Sequence, residues 1–565
     1  MAIGTPLLLD NPVKDSVDYK GRPVYRFNSG GWKSTLFIIG MFVEVAERSA
    51  YYGISGNLIT YLTGPLGQST VTAAENMNVW SGTSWLLPLL GAFVADSFVG
   101  RYRTIVVSTL IYILGLGLLA LSAVIPPPGS SGCQISDGAG SCSPDPVLIL
   151  FFFALYLAAL GQGILLALNY IQDNINWGLG FGIPCLIMAG ALATFLLGTR
   201  TYRYSIRREE EKHALLRVGR VFVATIRNWR ITTAVASEEE THRAQPHQTS
   251  SEILGKNHYD LLKHSQFDAK VHQRLVYQSP KPWLISCSAS KEPADAPLPP
   301  LDPNDSKGDS KVCSLREVEE AKAVLRLVPI WTTCLIYAIV IAQPATLFTR
   351  QALTMNRSVS EDLEFPAASV QLFISATVVV LVAIYDRAFV PVARAFTGEP
   401  SGITMLQRIG TGVFLSFLAM VVAALVEMKR LKKAQQYGLV DSPDLTIPMS
   451  AWWLIPQNFL LGAADVFTMI GMQEFFYDQV PSELRSVGLA LFLSVLGVGN
   501  FLSSFLISVI DKATGGGGHY SWFANNLNRA HLDYFYWLLA ALSAVQFVAF
   551  LYFGKSYIYS RGGAT

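Results

Sequence analysis

Glu44, Glu47 and Arg48 stand inside an otherwise apolar stretch from Ser34 to Thr63 and are followed directly by Tyr51 and Tyr52. Offsets of three, four and seven put Glu44, Glu47, Arg48 and Tyr51 on one face of a helix. A charge at the centre of a bilayer costs about 3 kcal/mol on insertion scales, so three together need a paired, wet setting, and such groups mark ion or substrate paths. Two carboxylates against one guanidinium leave one acid free to take up a proton. That is what a proton-coupled transporter requires; an internal salt bridge that merely locks the helix is the plainer alternative.

A later apolar run, Ala451 to Tyr477, carries Asp465 and Glu474. Glu474 lies in GMQEFFYDQVP, near the end of the run, so an interfacial position competes with a cavity-lining one. Asp96, Arg101 and Arg103 cluster in GAFVADSFVGRYR. Charges at helix ends can lock two helices in one transport state and release them in another; plain anchoring by basic residues is the alternative. Cys133 and Cys142 share one Pro/Gly/Ser-rich loop and could form a disulfide. HExxH, Walker and GxSxG sequences are all missing, so the pattern is not that of an enzyme, and neither a metal nor a cofactor is expected.

These residues need membrane helices to position them. The chain has 565 residues, 51% of them hydrophobic and 15% charged, with a mean hydropathy of +0.35. Soluble domains carry about 25% charged residues, and here no Lys or Arg occurs between Arg103 and Arg200. Six Cys are too few for a disulfide scaffold, and a net charge of +2 gives no reason to expect nucleic acid.

A crossing helix needs about 20 apolar residues. That rule predicts spans near Ser34 to Thr63, Val79 to Val99, Ile105 to Ile125, Val147 to Tyr170 and Gly178 to Gly198. Six more follow, near Val324 to Phe348, Ala368 to Val390, Thr404 to Val426, Ala451 to Tyr477, Val487 to Ile510 and Tyr534 to Phe553. The total is eleven. Between the groups lies a polar linker whose second half reads as disordered; from Glu209 its first part reads as a surface-lying amphipathic helix or an ordinary solvated one.

Basic residues set the orientation. Nine Lys or Arg between Arg200 and Arg230, and five before the first span, put both regions in the cytosol. Two cytosolic ends require an even number of crossings, yet five spans lie between them. Arg101 and Arg103 hold the turn between spans two and three inside, which localises the conflict to Val147 to Tyr170. Either that stretch is a re-entrant hairpin or a piece of chain is absent.

The sequence resembles the plant nitrate and peptide transporter family, the proton-coupled oligopeptide transporter branch of the major facilitator superfamily. The resemblance rests on GGWKSTLFIIGMFVEVAERSAYYG, GAFVADSFVGRYRT, WGLGFGIP, LGTRTYRY, LRLVPIWTTCLIYAIVIAQ, LQRIGTG and EFFYDQVPSELRSVGLALFLSVLGVGNFLSS. It implies an all-α polytopic membrane protein with the major facilitator fold, normally twelve helices in two six-helix bundles. Here it implies eleven, because helices four and five are fused: Gly161-Gln162-Gly163 runs directly into Ile164-Leu165-Leu166-Ala167, and roughly fifty residues, about one helical hairpin turn with its loop at 1.5 Å per residue, are missing.

The domain layout that follows is a cytosolic tail (1–33), an N-terminal bundle incomplete near 163–164 (34–198), a cytosolic linker (199–323), a C-terminal six-helix bundle (324–554) and a second tail (555–565). The resemblance assigns proton coupling to Glu44, Glu47 and Arg48, and the substrate cavity to Tyr51, Tyr52, Gln343 and Glu474. The missing segment would have carried the Lys that partners the tenth-helix acid, so Glu474 is expected to lack its counter-charge. Thr104 matches a position phosphorylated in a nitrate-transporting relative, an unmodified helix-start Thr being the alternative. Members that bind nitrate through a seventh-helix His carry it before the Ala-Gln pair, where this chain has Ile341.

The expected function is proton-coupled symport of nitrate, short peptides or related small solutes by alternating access, with protons, a small-molecule substrate and the lipid bilayer as partners. The other reading is a non-transporting sensor or shortened isoform. The expected location is the plasma or vacuolar membrane.

Overall fold

The structure, a computed structural model, describes residues 16–17, 22, 43–94, 101–125, 146–159, 177–197, 199, 204–205, 315–360, 363–398, 402–443, 445–481, 484–515 and 520–557. Eleven helical rods stand among the described residues, as the hydropathy reading expects. Five precede the linker: α1 (Val43–Thr63), α2 (Thr70–Val94), α3 (Arg101–Val124), α4 (Pro146–Ala159) and α5 (Trp177–Leu197). Six follow: α6 (Leu315–Ile341), α7 (Leu372–Ile384), α8 (Met405–Gln436), α9 (Ile455–Asp478), α10 (Arg485–Thr514) and α11 (Leu532–Ser556). The chain divides into two compact units, Met1–Lys212 with Leu327–Thr565, and His213–Arg326; both helix groups belong to the first, apart from the start of α6, Leu315–Arg326, which falls in the second.

Two rods depart from simple α-helix. Beyond α6, where Pro344 lacks a backbone N–H, the rod continues through a π-helical turn, Pro344–Phe348, and ends in Thr349–Leu353. Past α7 a second π-helical turn, Tyr385–Phe389, leads into Val390–Thr397. Such turns interrupt the regular ladder and recur at functional sites.

Among the described residues seven rods, those containing α3 and α6 to α11, are long and apolar enough to cross a membrane by length and composition. The second rod shows why a hydropathy window misplaces an end. Its predicted start is Val79, yet α2 begins nine residues earlier, where the Ser69 hydroxyl accepts the Thr72 N–H at 3.1 Å and so caps the helix. The early turns hold Glu75, Asn76 and Asn78, too polar for the window but inside the helix all the same. Similarly, α8 runs to Gln436, ten residues past the expected Val426, because Glu427 and Arg430 are buried together and the helix continues through them.

Within the first group α3 packs on α4 and α5, and α1 packs on α5 and α2; in the second group α8 packs on α9 and α11, and α9 on α7 and α10. The two groups meet chiefly where α2 lies along α10. There Gly82 faces Gly497: a Cβ added to Gly82 would stand 2.9 Å from the Gly497 carbonyl oxygen, and one on Gly497 would stand 2.6 Å from Leu86 Cγ. Small residues at such crossings let backbones approach where dispersion packing, not exclusion from water, holds helices together.

Two short strands bear on the parity problem. Ser16–Val17 (β1) pairs antiparallel with Tyr204–Ser205 (β2), Ser16 opposite Ser205. The segment before α1 and the segment after α5 therefore meet, and an odd number of full crossings cannot separate them. The described part of α4 is about 21 Å long, against a hydrocarbon core of about 30 Å; the stretch at 163–164 where the sequence places the fusion lies outside the described residues.

Candidate functional site

The wall of a cavity of about 510 Å³ is drawn from both helix groups. From the first come Tyr51 and Ser55 of α1 and Asn78, Ser81 and Trp85 of α2; from the second come Ile341 and Ala345 around the α6 break, Gln371 before α7, Asp465 of α9 and Asn500 of α10. Among the described residues Asp465 is the only charged side chain on this wall. Its neighbour explains how it is held. Tyr337, fully buried on α6, donates its hydroxyl to Asp465 Oδ1 at 2.5 Å. A buried phenol needs an acceptor, and the Asp465 carboxyl oxygen supplies it.

Tyr51 fixes the register of α1. It is buried, its hydroxyl is 3.0 Å from Ser81 Oγ, its ring stacks on Trp80 with centroids 5.3 Å apart, and Trp85 meets it edge-on at 6.3 Å. The α1 face that carries Tyr51 and Ser55 is thus the cavity face. Glu44, Glu47 and Arg48 belong to α1, but their side chains, and that of Tyr52, lie outside the described residues.

Glu474 takes a different position from the expected one. It does not line this cavity; its Oε2 accepts from an Arg408 guanidinium nitrogen at 2.5 Å, with Arg408 buried and Glu474 one-third exposed. The expectation that Glu474 lacks a counter-charge is corrected: α8 supplies one, and the Tyr385 ring covers it with its centroid 5.2 Å from the guanidinium carbon. Gln343 is wholly buried beside the cavity, donating to the Ile339 carbonyl at 2.8 Å and to Ser503 Oγ at 3.2 Å, where Asn78 also donates at 3.1 Å. It ties α2, α6 and α10 together instead of standing on the wall. Its neighbours Ala342 and Pro344 do line it.

Of the helix-end group, Arg103 is exposed and Thr104 half-buried in the first turn of α3. The side chain of Arg101, and Asp96, Cys133 and Cys142, lie outside the described residues. Sequence reasoning did not single out Tyr337, a tyrosine in an apolar run with no local signal; Arg408 stood out only as one basic residue among several.

Two groups of helices with a cavity between them, several of the rods long and apolar enough to cross a membrane, are the architecture of a membrane transporter. The sequence profile of the POT family (PTR2) matches residues 165–273 and 304–523. From Arabidopsis thaliana, "Protein NRT1/ PTR FAMILY 5.10" is 52% identical, covering 99% of this chain and 98% of its own, and "Protein NRT1/ PTR FAMILY 5.14" is 47% identical over 98% of each. The chain belongs to the POT family and is a multi-pass membrane transporter. The fold is also that of an auto-inhibited POT family peptide transporter (TM-score 0.63, 18% identity, 94% of this chain and 99% of that one) and of the POT family transporter PepTSo (TM-score 0.60, 16% identity, 93% and 98%). The first alignment spans 601 positions, more than the 565 residues here, so some positions of that relative have no counterpart in this chain.

Proposed function

We propose that the protein is a proton-coupled symporter of small solutes, nitrate or short peptides among them, working by alternating access at the plasma or vacuolar membrane. The observation that carries this reading is the cavity between the helix groups with Asp465 on its wall, held by Tyr337. By helical register Glu44, Glu47 and Arg48 share the face of Tyr51, which supports their role as the proton-coupling group. Asp465 then takes the part of cavity acid that the resemblance gave to Glu474, while Glu474 with Arg408 locks α9 to α8.

The wall bears on the substrate. Ile341, at the position of the nitrate-binding His, lines the cavity, and among the described residues no Lys, Arg or His does. An acid with hydroxyl and amide groups favours a solute that donates hydrogen bonds, as the amino end of a short peptide does, over nitrate. The test is uptake by proteoliposomes under an inward proton gradient. Glu47→Gln should abolish gradient-driven uptake, and Asp465→Asn should reduce it at least tenfold; unchanged uptake in both variants would refute the assignment.

The positions that NRT1/ PTR FAMILY 5.10 has and this chain lacks support a second reading, a non-transporting sensor or shortened isoform. It predicts no uptake of any solute by the chain as it stands, and uptake once the relative's segment is inserted between Gly163 and Ile164.

A further inference from the structure

The two helix groups touch along a polar seam at one end of the cavity. It is the end opposite Arg101 and Arg103, and so the outer end by the basic-residue rule. At its centre Arg350, in the last turn of the rod that begins with α6, reaches across to α1 and α2. One guanidinium nitrogen donates to Thr63 Oγ1 at 3.1 Å and another to Thr70 Oγ1 at 3.3 Å. The Thr63 hydroxyl spends its own proton on the Ile59 carbonyl at 2.8 Å, which leaves its lone pairs to Arg350. Beside this contact the Thr70 N–H donates to Asn525 Oδ1 at 2.9 Å, and Gln371 Nε2 donates to Thr349 Oγ1 at 3.0 Å and to the Gly56 carbonyl at 3.4 Å. Gln371 also lines the cavity, so the seam is its roof.

We propose that Arg350 is the latch of the outer gate, holding the cavity shut from outside until transport requires it to open. The chemistry of its partners suits a contact that must break on every cycle. Among the described residues Arg350 forms no ion pair, and its Nε is buried without a hydrogen-bond partner. Its acceptors are neutral hydroxyls, which rehydrate readily when the seam parts; a carboxylate partner would resist separation more strongly. The contrast with Arg430 is direct: that guanidinium, at the same end, is sealed onto Glu427 within one helix group, where nothing has to open.

The proposal rests on the alternating-access reading, but its test needs no substrate, so failure of one leaves the other standing. A reporter, Ala345→Cys on the cavity wall, is placed in the full chain in proteoliposomes and exposed from outside to a membrane-impermeant methanethiosulfonate; labelling is counted above that of the chain without the reporter. Arg350→Ala should speed modification about tenfold, the population shift expected on losing hydrogen bonds to a charged group. Thr63→Val with Thr70→Val should do the same with the arginine intact, and Arg350→Lys should fall between. Parental rates in the arginine and threonine variants would overturn the proposal. If Arg350→Ala does not reach the membrane, the threonine pair decides alone.

Discussion

Asp465 and Glu474 are nine residues apart on α9, which at 3.6 residues per turn places them about 180° apart around the helix. One therefore faces the cavity when the other faces α8, and they cannot share a role. That much is arithmetic on the sequence; which face looks inward is decided by what α9 packs against. A different pair shows how a buried charge is made tolerable. Glu427 and Arg430, one turn apart on α8, are fully buried and bonded twice, at 2.6 and 2.7 Å. Gln351 donates to Glu427 at 2.6 Å, and Arg430 also donates to Thr354, Asn528 and the Leu527 carbonyl. Removing one partner strands the other, at a cost of about 3–5 kcal/mol, whereas replacing both with apolar side chains is far milder. Glu427→Gln should thus sharply lower the unfolding temperature of the protein in detergent, and Glu427→Leu with Arg430→Met should recover most of it. Equal losses in the two variants would show that the pair is not acting as a unit.

Among the helices, close approach is set by residues without side chains. α2 and α10 meet at Gly82 and Gly497, and α8 and α9 meet at Gly412, where an added Cβ would lie 2.7 Å from the Ala464 carbonyl oxygen and would overlap the Thr468 hydroxyl. The two crossings differ in consequence. Gly412 lies within the second helix group, so Gly412→Val should act as overpacking and lower stability by about 1–3 kcal/mol, read from thermal unfolding. Gly497 lies between the groups, and Gly497→Leu should wedge α2 from α10 and raise outside labelling of the Ala345→Cys reporter with a smaller loss of stability. A stability loss with no change in labelling would assign this crossing to packing alone.

For the molecule as a whole, topology turns on parity. The β1–β2 pairing brings Ser16 opposite Ser205, so both flanks lie on one face, which the basic-residue rule expects to be the cytosolic one. Single cysteines at Ser16 and Ser205 should both label from the cytosolic face and should crosslink to each other under mild oxidation. Labelling from opposite faces would mean that the five helices between them all cross, and that the basic-residue rule fails for this chain. The basic cluster Lys429 to Lys433 shows how it can mislead: Arg430 lies at the same end as Thr354, held by Glu427, and its charge speaks to packing instead of to orientation.

The sequence by itself determined the membrane class, the eleven helices and their order, and it singled out the charges within the apolar runs. Those properties are carried by composition and by spacing along one chain. Only the tertiary structure decided that Asp465 and not Glu474 lines the cavity, that Arg408 answers Glu474, that Gln343 is a seam residue, and that Arg350 crosses between the groups. Thr63 and Arg350 are 287 residues apart, and Asn78 of α2 meets Ser503 of α10 across 425. No local pattern encodes which faces of distant helices meet; packing in three dimensions selects them, and the site is made of such meetings.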